Sequence, residues 1–312
     1  MPNKTLALSP PEYWARFESD GGPIDSVSAA LSWASEVSEV LDKESSSSPK
    51  QLRRQVFRGQ RNSAWSLTST LVRHLANQRR LVNENAVRWE ETQTLIRLRQ
   101  WSHAPEPSMV TPALQLLAAH QHQGGLTRLI DVTHSLLVAL WFAVDDANEA
   151  SSDGRVFAMT YDTDLSESYD GPLVEANPTF FWHYQPNGLE RKLYVWTPPP
   201  YEPRMAMQHA AFLIGQVPDD KPGDTQPFRQ LPDRDHVTHA SWKEAVSVWV
   251  RPYKVAKPGR PILAGNALFT QRVAREAKLA IMRELHQFFG MEASTVYPDT
   301  VRAVWGRHGA SR

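Results

Sequence analysis

The stretch AHQHQGGLTRLIDVTHSLLVALWFA, residues 119–143, decides the fold. Its opening predicts the end of a helix, because Gly124 and Gly125 interrupt the apolar periodicity and permit a turn with positive φ. LTRLI is typical of an extended segment, and the apolar run after it predicts a buried helix capped by Thr133. A helix, a strand and a second helix therefore meet around a cluster of polar side chains beside the core.

The flanking sequence predicts helices first and strands later. Helices are expected at 24–44 with Ser26 as N-cap, at 83–101 with Asn83 as N-cap, at 111–122 behind the Thr-Pro pair, and at 272–290, stopped by Gly290. Strands are expected at 55–60, 154–161, 191–196, 210–217 and 245–250. This order predicts an α+β fold in which a helical N-terminal part packs on a mostly antiparallel sheet. We expect one domain over residues 25–305, an N-terminal extension over 1–24 and a tail over 306–312.

Composition excludes several classes of protein. The chain has 312 residues, 41% of them hydrophobic, and no cysteine, which rules out disulfides, thiolate nucleophiles and cysteine-bound zinc. Neither a secretory signal nor a run of about 18 apolar residues is present. We therefore expect a cytoplasmic protein with no membrane partner. Eleven tryptophans predict an aromatic core or flat stacking surfaces around a site.

The charges are segregated although the formal net charge is +0. Residues 50–99 and 251–283 are rich in arginine and lysine, whereas residues 145–170 are mostly acidic. Arginine-rich segments can bind phosphates through bidentate hydrogen bonds. They can equally form a solvated face that the acidic segment balances. The sequence leaves both interpretations open.

Arg58 is the first candidate for ligand binding. It lies in FRGQ, residues 57–60, where Gly59 would let a ligand or a neighbouring backbone approach closely and Gln60 follows. An arginine at the end of a strand is suited to clamp a diphosphate. The alternative is an internal ion pair with a carboxylate such as Glu91.

The second candidate is the polar cluster of the deciding stretch. Its members that could contact a ligand are His122, Thr127, Arg128, Asp131 and Thr133. The alternative is a structural arrangement of helix caps and an internal ion pair. A metal site is not expected, since histidines two residues apart do not share a helical face and no HExxH motif occurs.

The third candidate is the pair Arg204 and Gln208 in RMAMQHAAFLI, residues 204–214. A spacing of four places both side chains on one face of a helical turn, directly before an apolar strand. The alternative is a polar turn that only leads the chain into the sheet. No Walker loop, G-x-S-x-G elbow or G-x-G-x-x-G motif is present.

Taken together, these motifs resemble the FRG domain family, which is named for its Phe-Arg-Gly triplet. The similar segments are residues 57–74, 121–143, 204–214 and 277–300, in the family's order. The chain departs from the usual pattern at Leu126 and Leu136, where the family has proline, and at Val132, where it has tryptophan. These departures affect loop stiffness and packing more than charge.

The motif order is also similar to that of ADP-ribosyltransferases of the Arg–Ser–Glu type, which implies a split sheet and NAD as the cofactor. By this resemblance Arg58 would hold the NAD phosphates, Thr127 or Thr133 would position the nicotinamide ribose, and Gln208 would occupy the place of the catalytic acid. Gln208 has no charge to stabilise a positive ribose, so Glu202 or Asp131 would have to supply it. The implied catalytic residues are Arg58, Thr133 and Gln208, and the implied cofactor-binding residues are Arg58, Gly59, Gln60, His122, Thr127, Arg128, Asp131 and Arg204.

Two functions are therefore expected as alternatives. The first is NAD-dependent ADP-ribosyl transfer to nucleic acid by a toxin or phage-defence effector, restrained by an antitoxin or regulatory protein. The second is a non-catalytic module that binds a nucleotide or nucleic acid through arginines and exposed tryptophans. A small-ligand site requires Arg58, Thr127 or Thr133, and Gln208 to converge on one cleft.

Overall fold

The computed structural model of the chain describes residues 8–42, 54–101, 112–145, 151–161, 163–165, 192–199, 203–218, 239–255 and 266–298. The helices are α1 (Pro10–Ala15), α2 (Val27–Asp42), α3 (Thr70–Asn77), α4 (Glu84–Trp101), α5 (Ala113–His122), α6 (Leu136–Val144), α7 (Pro203–Met207), α8 (His239–Ala245), α9 (Lys278–Phe289) and α10 (Ala293–Val296). The strands are β1 (Gln55–Gln60), β2 (Ile130–Thr133), β3 (Gly154–Thr160), β4 (Thr163–Asp164), β5 (Leu193–Trp196), β6 (Ala210–Gly215), β7 (Arg251–Pro252) and β8 (Ala267–Val273).

The strands of the described ranges form one sheet in the order β4-β5-β6-β2-β1-β3-β8-β7. Its neighbours are antiparallel except at the two edges, where β4–β5 and β7–β8 are parallel. The predicted α+β class with a mostly antiparallel sheet is therefore confirmed. Between β1 and β2 the ladder has the single register pair Phe57↔Thr133, whereas β1 and β3 pair along the whole of β1. The split sheet that the resemblance to ADP-ribosyltransferases implies remains a prediction.

Helices cover both faces of the sheet. α2, α6 and α9 bury one face, and α1 and α8 help to bury the other. Successive residues of β3 alternate between the two cores, as the two-residue period of a strand requires: Val156 and Ala158 pack on one side, and Phe157 on the other. Tyr13 and Trp14 of α1 are fully buried in the second of these cores.

Two glycines allow α6 to lie directly on the sheet. A Cβ atom on Gly59 of β1 would stand 1.7 Å from the carbonyl oxygen of Ala139, and one on Gly154 of β3 would stand 2.3 Å from that of Ala143. Both oxygens belong to the backbone of α6, which cannot move without repacking its buried apolar face. Gly59 therefore serves the packing of α6 as well as the cleft described below.

Two predicted N-caps are confirmed, and a third was wrong. Ser26 Oγ accepts a hydrogen bond from Ala29 N at 3.1 Å, and Asn83 Oδ1 accepts one from Ala86 N at 2.8 Å, as expected for N-caps. The cap of α6 is Ser135 rather than Thr133. Thr133 ends β2, and its hydroxyl accepts a hydrogen bond from Ser135 N at 3.0 Å instead.

Other expectations need correction near the C-terminal end. Residues 245–250 were predicted as a strand, but α8 ends at residue 245 and the next strand begins at residue 251. The closing helix begins at residue 278 because residues 272 and 273 still pair with β3. Gly290 ends this helix with φ +62, as predicted.

Thr111, the cap expected before Pro112, lies outside the described residues. In the described part of the chain, no helix combines the length and apolarity needed to cross a membrane.

Candidate functional site

A cleft of about 300 Å³ lies where β1 and β2 separate. Its walls come from β1, the end of α5, β2, α6, and the turn from α7 into β6. The polar side chains of the lining are Arg58, Gln121, His122, Asp131, Thr133, Arg204 and Gln208. The cleft thus gathers residues from all three sequence motifs, beside the Phe57–Thr133 pair at which the ladder between β1 and β2 ends.

Arg58 spans the gap between the two strands. Its Nη1 donates a hydrogen bond to the carbonyl oxygen of Asp131, which ties β1 to β2 beyond the last ladder pair. The side chain is 21% exposed, and its buried Nε has no hydrogen-bond partner among the described residues. Burial lowers the pKa of Arg58; Asp131 opposes this shift and Arg73 adds to it. The guanidinium stays protonated near neutral pH and keeps donors for a ligand.

The Asp131 carboxylate is held at the mouth of the cleft. Gln121 Nε2 donates to its Oδ1 at 2.7 Å, and Gln121 Oε1 in turn accepts a hydrogen bond from the hydroxyl of Thr127. The other oxygen, Oδ2, lies 4.0 Å from Arg58 Nη1. At that distance the two groups attract each other without a hydrogen bond. The carboxylate is therefore oriented by Gln121, while its side chain remains 70% exposed.

Thr133 and Gln208 join the second strand to the third motif. The hydroxyl of Thr133 donates to the backbone oxygen of Gln208 at 2.7 Å, so its proton is used within the fold. The side chain of Gln208 donates from Nε2 to the carbonyl oxygen of Val296 at 2.9 Å. The next residue, His209, has φ +45, a left-handed backbone that is rare outside glycine. The turn before β6 is thus held by Thr133 of β2 through its backbone and by Val296 of α10 through the Gln208 side chain.

Arg204 lines the cleft from α7, the helix before β6, and β2 lies between β6 and the strand of Arg58. Its guanidinium lies 5.4 Å from the centre of the Tyr297 ring, in a cation–π contact. The hydroxyl of Tyr297 donates to Asp145 Oδ2 at 2.8 Å, and its ring packs edge-on against Phe142 at 6.0 Å. Arg204 therefore rests on an aromatic support that is itself anchored at the end of α6.

Aromatic and aliphatic side chains form the remaining surface of the cleft. Phe57, Phe142 and Phe212 come from β1, α6 and β6, and Met205 comes from α7. Phe212 also stacks on the buried Trp196 at 5.8 Å, which fixes its ring. Two arginines combined with aromatic walls are suited to a ligand that carries both an anion and a planar ring.

Several sequence-predicted site residues meet in this cleft, and others do not. Arg58, Gly59, His122, Asp131, Thr133, Arg204 and Gln208 line it. Gln60 is absent from the lining: its side chain is buried and donates to the carbonyl oxygen of Ser66 at 3.0 Å. Thr127 is fully buried and absent from the lining, and its hydroxyl donates to the lining residue Gln121. Glu202, the alternative acid, lies outside the described residues.

Arg128 also lies outside the lining and belongs to the scaffold. Its guanidinium is 2% exposed and bridges two carboxylates of α4, Glu91 Oε1 at 2.6 Å and Glu84 Oε1 at 2.9 Å. Burial lowers the pKa of Arg128, but the two carboxylates reverse this and raise it above its ordinary value. The internal ion pair considered for Arg58 therefore exists, but Arg128 is the arginine that forms it with Glu91.

Residue-by-residue reasoning missed several members of the site. Gln121 stands in the deciding stretch, but nothing in the sequence shows that its amide bonds the Asp131 side chain. In the sequence, nothing distinguishes the phenylalanines of the cleft walls from ordinary core residues. Arg73 of α3 interacts electrostatically with both Arg58 and Asp131, although it was not singled out as a site residue. The signal for Arg73 was its place within residues 57–74, one of the segments that resemble the FRG domain family. Within the described ranges, His, Asp and Glu side chains form no group of three that could hold a metal ion.

Comparison with known proteins supports one of the two resemblances. No curated protein and no solved structure matches the chain. The family model of the FRG domain matches residues 53–152, which include β1, β2 and α6 and hence the Arg58 and Asp131 walls of the cleft. The α7–β6 wall lies beyond the matched residues. The family supported for this chain is therefore that of the FRG domain, over residues 53–152.

Proposed function

We propose that the cleft binds a nucleotide and that NAD is the nucleotide it takes. The observation that carries this proposal is that Arg58 of β1 and Arg204 of α7 line one cavity together with three phenylalanines. Guanidinium groups match phosphate oxygens in geometry and charge, and aromatic rings stack on a planar base. The convergence is also what the resemblance to ADP-ribosyltransferases leads one to expect of an NAD site.

The size of the cleft limits how much of the ligand it holds. A volume of 300 Å³ is at the low end of the range of ~300–1,000 Å³ that is usual for small-molecule sites. It suits one end of a dinucleotide, a planar ring with its ribose and adjacent phosphate. The amide of Gln208 then has the polarity to bind a ribose hydroxyl.

Calorimetric titration with NAD, nicotinamide mononucleotide, ADP-ribose and nicotinamide tests this proposal. We expect the phosphate-bearing ligands to bind and Arg58→Ala to weaken their binding by about tenfold or more, the cost of losing a charge-assisted hydrogen bond. Arg58→Lys should restore part of the affinity, because lysine keeps the charge without the planar donor pair. Arg283→Ala is the matched control, since Arg283 is exposed on α9 and is absent from the lining. Equal affinities of wild type and Arg58→Ala would contradict the proposal.

ADP-ribosyl transfer is the second candidate, and the position of Asp131 favours it. In this reaction the bond from ribose C1′ to the nicotinamide nitrogen breaks and its electron pair leaves with nicotinamide. A nucleophile of the acceptor then bonds to C1′ and loses its proton. Positive charge develops on the ribose, so a carboxylate close by stabilises the transition state. Asp131 provides the carboxylate among the described lining residues. By the resemblance, such a chain would act as a toxin or phage-defence effector on nucleic acid.

Transfer is tested by following nicotinamide release from NAD in the presence of RNA, DNA or protein. We expect release by wild type and its loss in both Arg58→Ala and Asp131→Asn. If NAD binds in the cleft but nicotinamide is never released with any acceptor, the chain is the binding module instead.

A further inference from the structure

The position of the Asp131 carboxylate is unusual for a group that would contact an anionic ligand. It faces Arg58 from 4.0 Å and interacts electrostatically with Arg73, so two positive charges meet one negative charge at the mouth of the cleft. The carboxylate takes none of the donors of Arg58, whose Nη1 bonds the Asp131 backbone oxygen instead. Asp131 neutralises one of the two positive charges, while the hydrogen-bonding capacity of Arg58 is left open.

The orientation of this carboxylate is built into the fold. Gln121 holds Oδ1 at 2.7 Å, and the fully buried Thr127 fixes Gln121 from behind. Thr127 is in turn anchored to α3, because its backbone N–H donates to the hydroxyl of Thr70 at 3.1 Å. A free surface aspartate would have no such support. The network keeps the negative charge beside Arg58 when the cleft is empty.

We propose that Asp131 is an internal counter-anion that limits the affinity of the cleft for anions, by standing against the phosphate of an incoming ligand. This inference rests on the proposed function and concerns the same site. An anion bound at Arg58 must share the two arginines with Asp131 and feel its repulsion. Because the attraction to the arginines and the repulsion from Asp131 both grow with the charge of the ligand, the carboxylate weakens the binding of a diphosphate more than that of a singly charged anion. Asp131 thus limits how tightly the cleft binds phosphate-bearing ligands.

The direction in which one substitution changes the anion affinity distinguishes this role from an ordinary ligand contact. Asp131→Asn keeps the size of the side chain and an oxygen for Gln121, and it removes only the charge. We expect inorganic pyrophosphate to bind about five- to tenfold more tightly to Asp131→Asn than to wild type at low salt, with the gain shrinking as salt rises. The gain should be smaller for acetate, which carries a single negative charge. Nicotinamide, which is uncharged, should bind both proteins equally.

A matched control removes the effect of overall charge. Asp20 forms an exposed ion pair with Lys254 at 2.6 Å, and it does not line the cleft. Asp20→Asn changes the net charge identically, so its pyrophosphate affinity should equal that of wild type. Calorimetry at two salt concentrations measures all three proteins.

The outcomes distinguish this inference from the proposed function. If Asp131→Asn binds pyrophosphate as weakly as wild type or more weakly, Asp131 is no counter-anion and the inference is overturned, although nucleotide binding stands. The same holds if Asp20→Asn gains as much as Asp131→Asn. If neither wild type nor Asp131→Asn binds pyrophosphate or NAD, the proposed function itself fails.

Discussion

Substitution of the buried Arg128 tests how much its ion pairs with α4 stabilise the scaffold behind the cleft. The substitution Arg128→Met keeps an apolar chain of similar length but takes away the cation between two carboxylates. Arg128 makes a bidentate pair with Glu91, at 2.6 and 2.7 Å, and a further bond to Glu84 at 2.9 Å. Glu91 is 1% exposed, so water cannot replace the lost partner. Stranding buried charge in this way costs about 3–5 kcal/mol, a large part of the ~5–15 kcal/mol that stabilises a typical domain.

Urea unfolding followed by tryptophan fluorescence measures this loss. The control is Arg88→Met, because Arg88 is 26% exposed and pairs with Glu84 through one contact at 2.9 Å. A partly exposed pair of this kind contributes at most about 1 kcal/mol. Adding Glu84→Gln and Glu91→Gln to Arg128→Met should recover much of the stability, since no buried charge then remains. A loss below about 1 kcal/mol for Arg128→Met, or one no larger than that of Arg88→Met, would refute the reasoning.

The remaining predictions concern the packing of α6, the turn before β6 and acid stability. Gly59→Ala should cost about 3 kcal/mol or more in thermal unfolding, because its Cβ would overlap the α6 backbone. Thr133→Val should cost about 1–3 kcal/mol in urea unfolding, since the backbone oxygen of Gln208 loses its donor. Gln208→Glu should lower the melting temperature at neutral pH, because a carboxylate would face the carbonyl oxygen of Val296. Burial raises the pKa of Glu84, but Arg128 and further hydrogen bonds hold it below the ordinary 4.5, so its contribution to stability is present above that pH and is lost as pH falls through the folded-state pKa. Unfolding curves between pH 6 and 3 should show a smaller loss of stability in Glu84→Gln than in wild type.

Local sequence signals predicted the elements whose ends are marked by short-range chemistry. β1 begins and ends at the predicted residues, and Ser26, Asn83 and Gly290 mark helix ends because caps and positive-φ glycines act within one turn. β8 was not predicted, since its apolar run continues without a turn signal into a helical pattern. Only pairing with β3, more than a hundred residues earlier in the chain, makes it a strand.

The candidate site, too, could be predicted only where local sequence signals mark its residues. The motifs named the residues that line the cleft on three sides, because strand and helix ends are where a rigid scaffold presents polar groups. Whether Arg58 or Arg128 would form the internal ion pair depended on where α4 packs. That packing brings Glu84 and Glu91 to Arg128, and no local pattern records it. The role of Gln121 likewise required its contact with Asp131.

The most direct test of the central claim is a crystal structure of the protein with NAD bound. The account predicts density in the cleft between β1 and β6, with a phosphate oxygen within hydrogen-bonding distance of the Arg58 guanidinium and a planar ring against Phe57, Phe142 or Phe212. Under the further inference, the Asp131 carboxylate should not bond the phosphate. NAD bound elsewhere on the protein, with this cleft empty, would contradict the account.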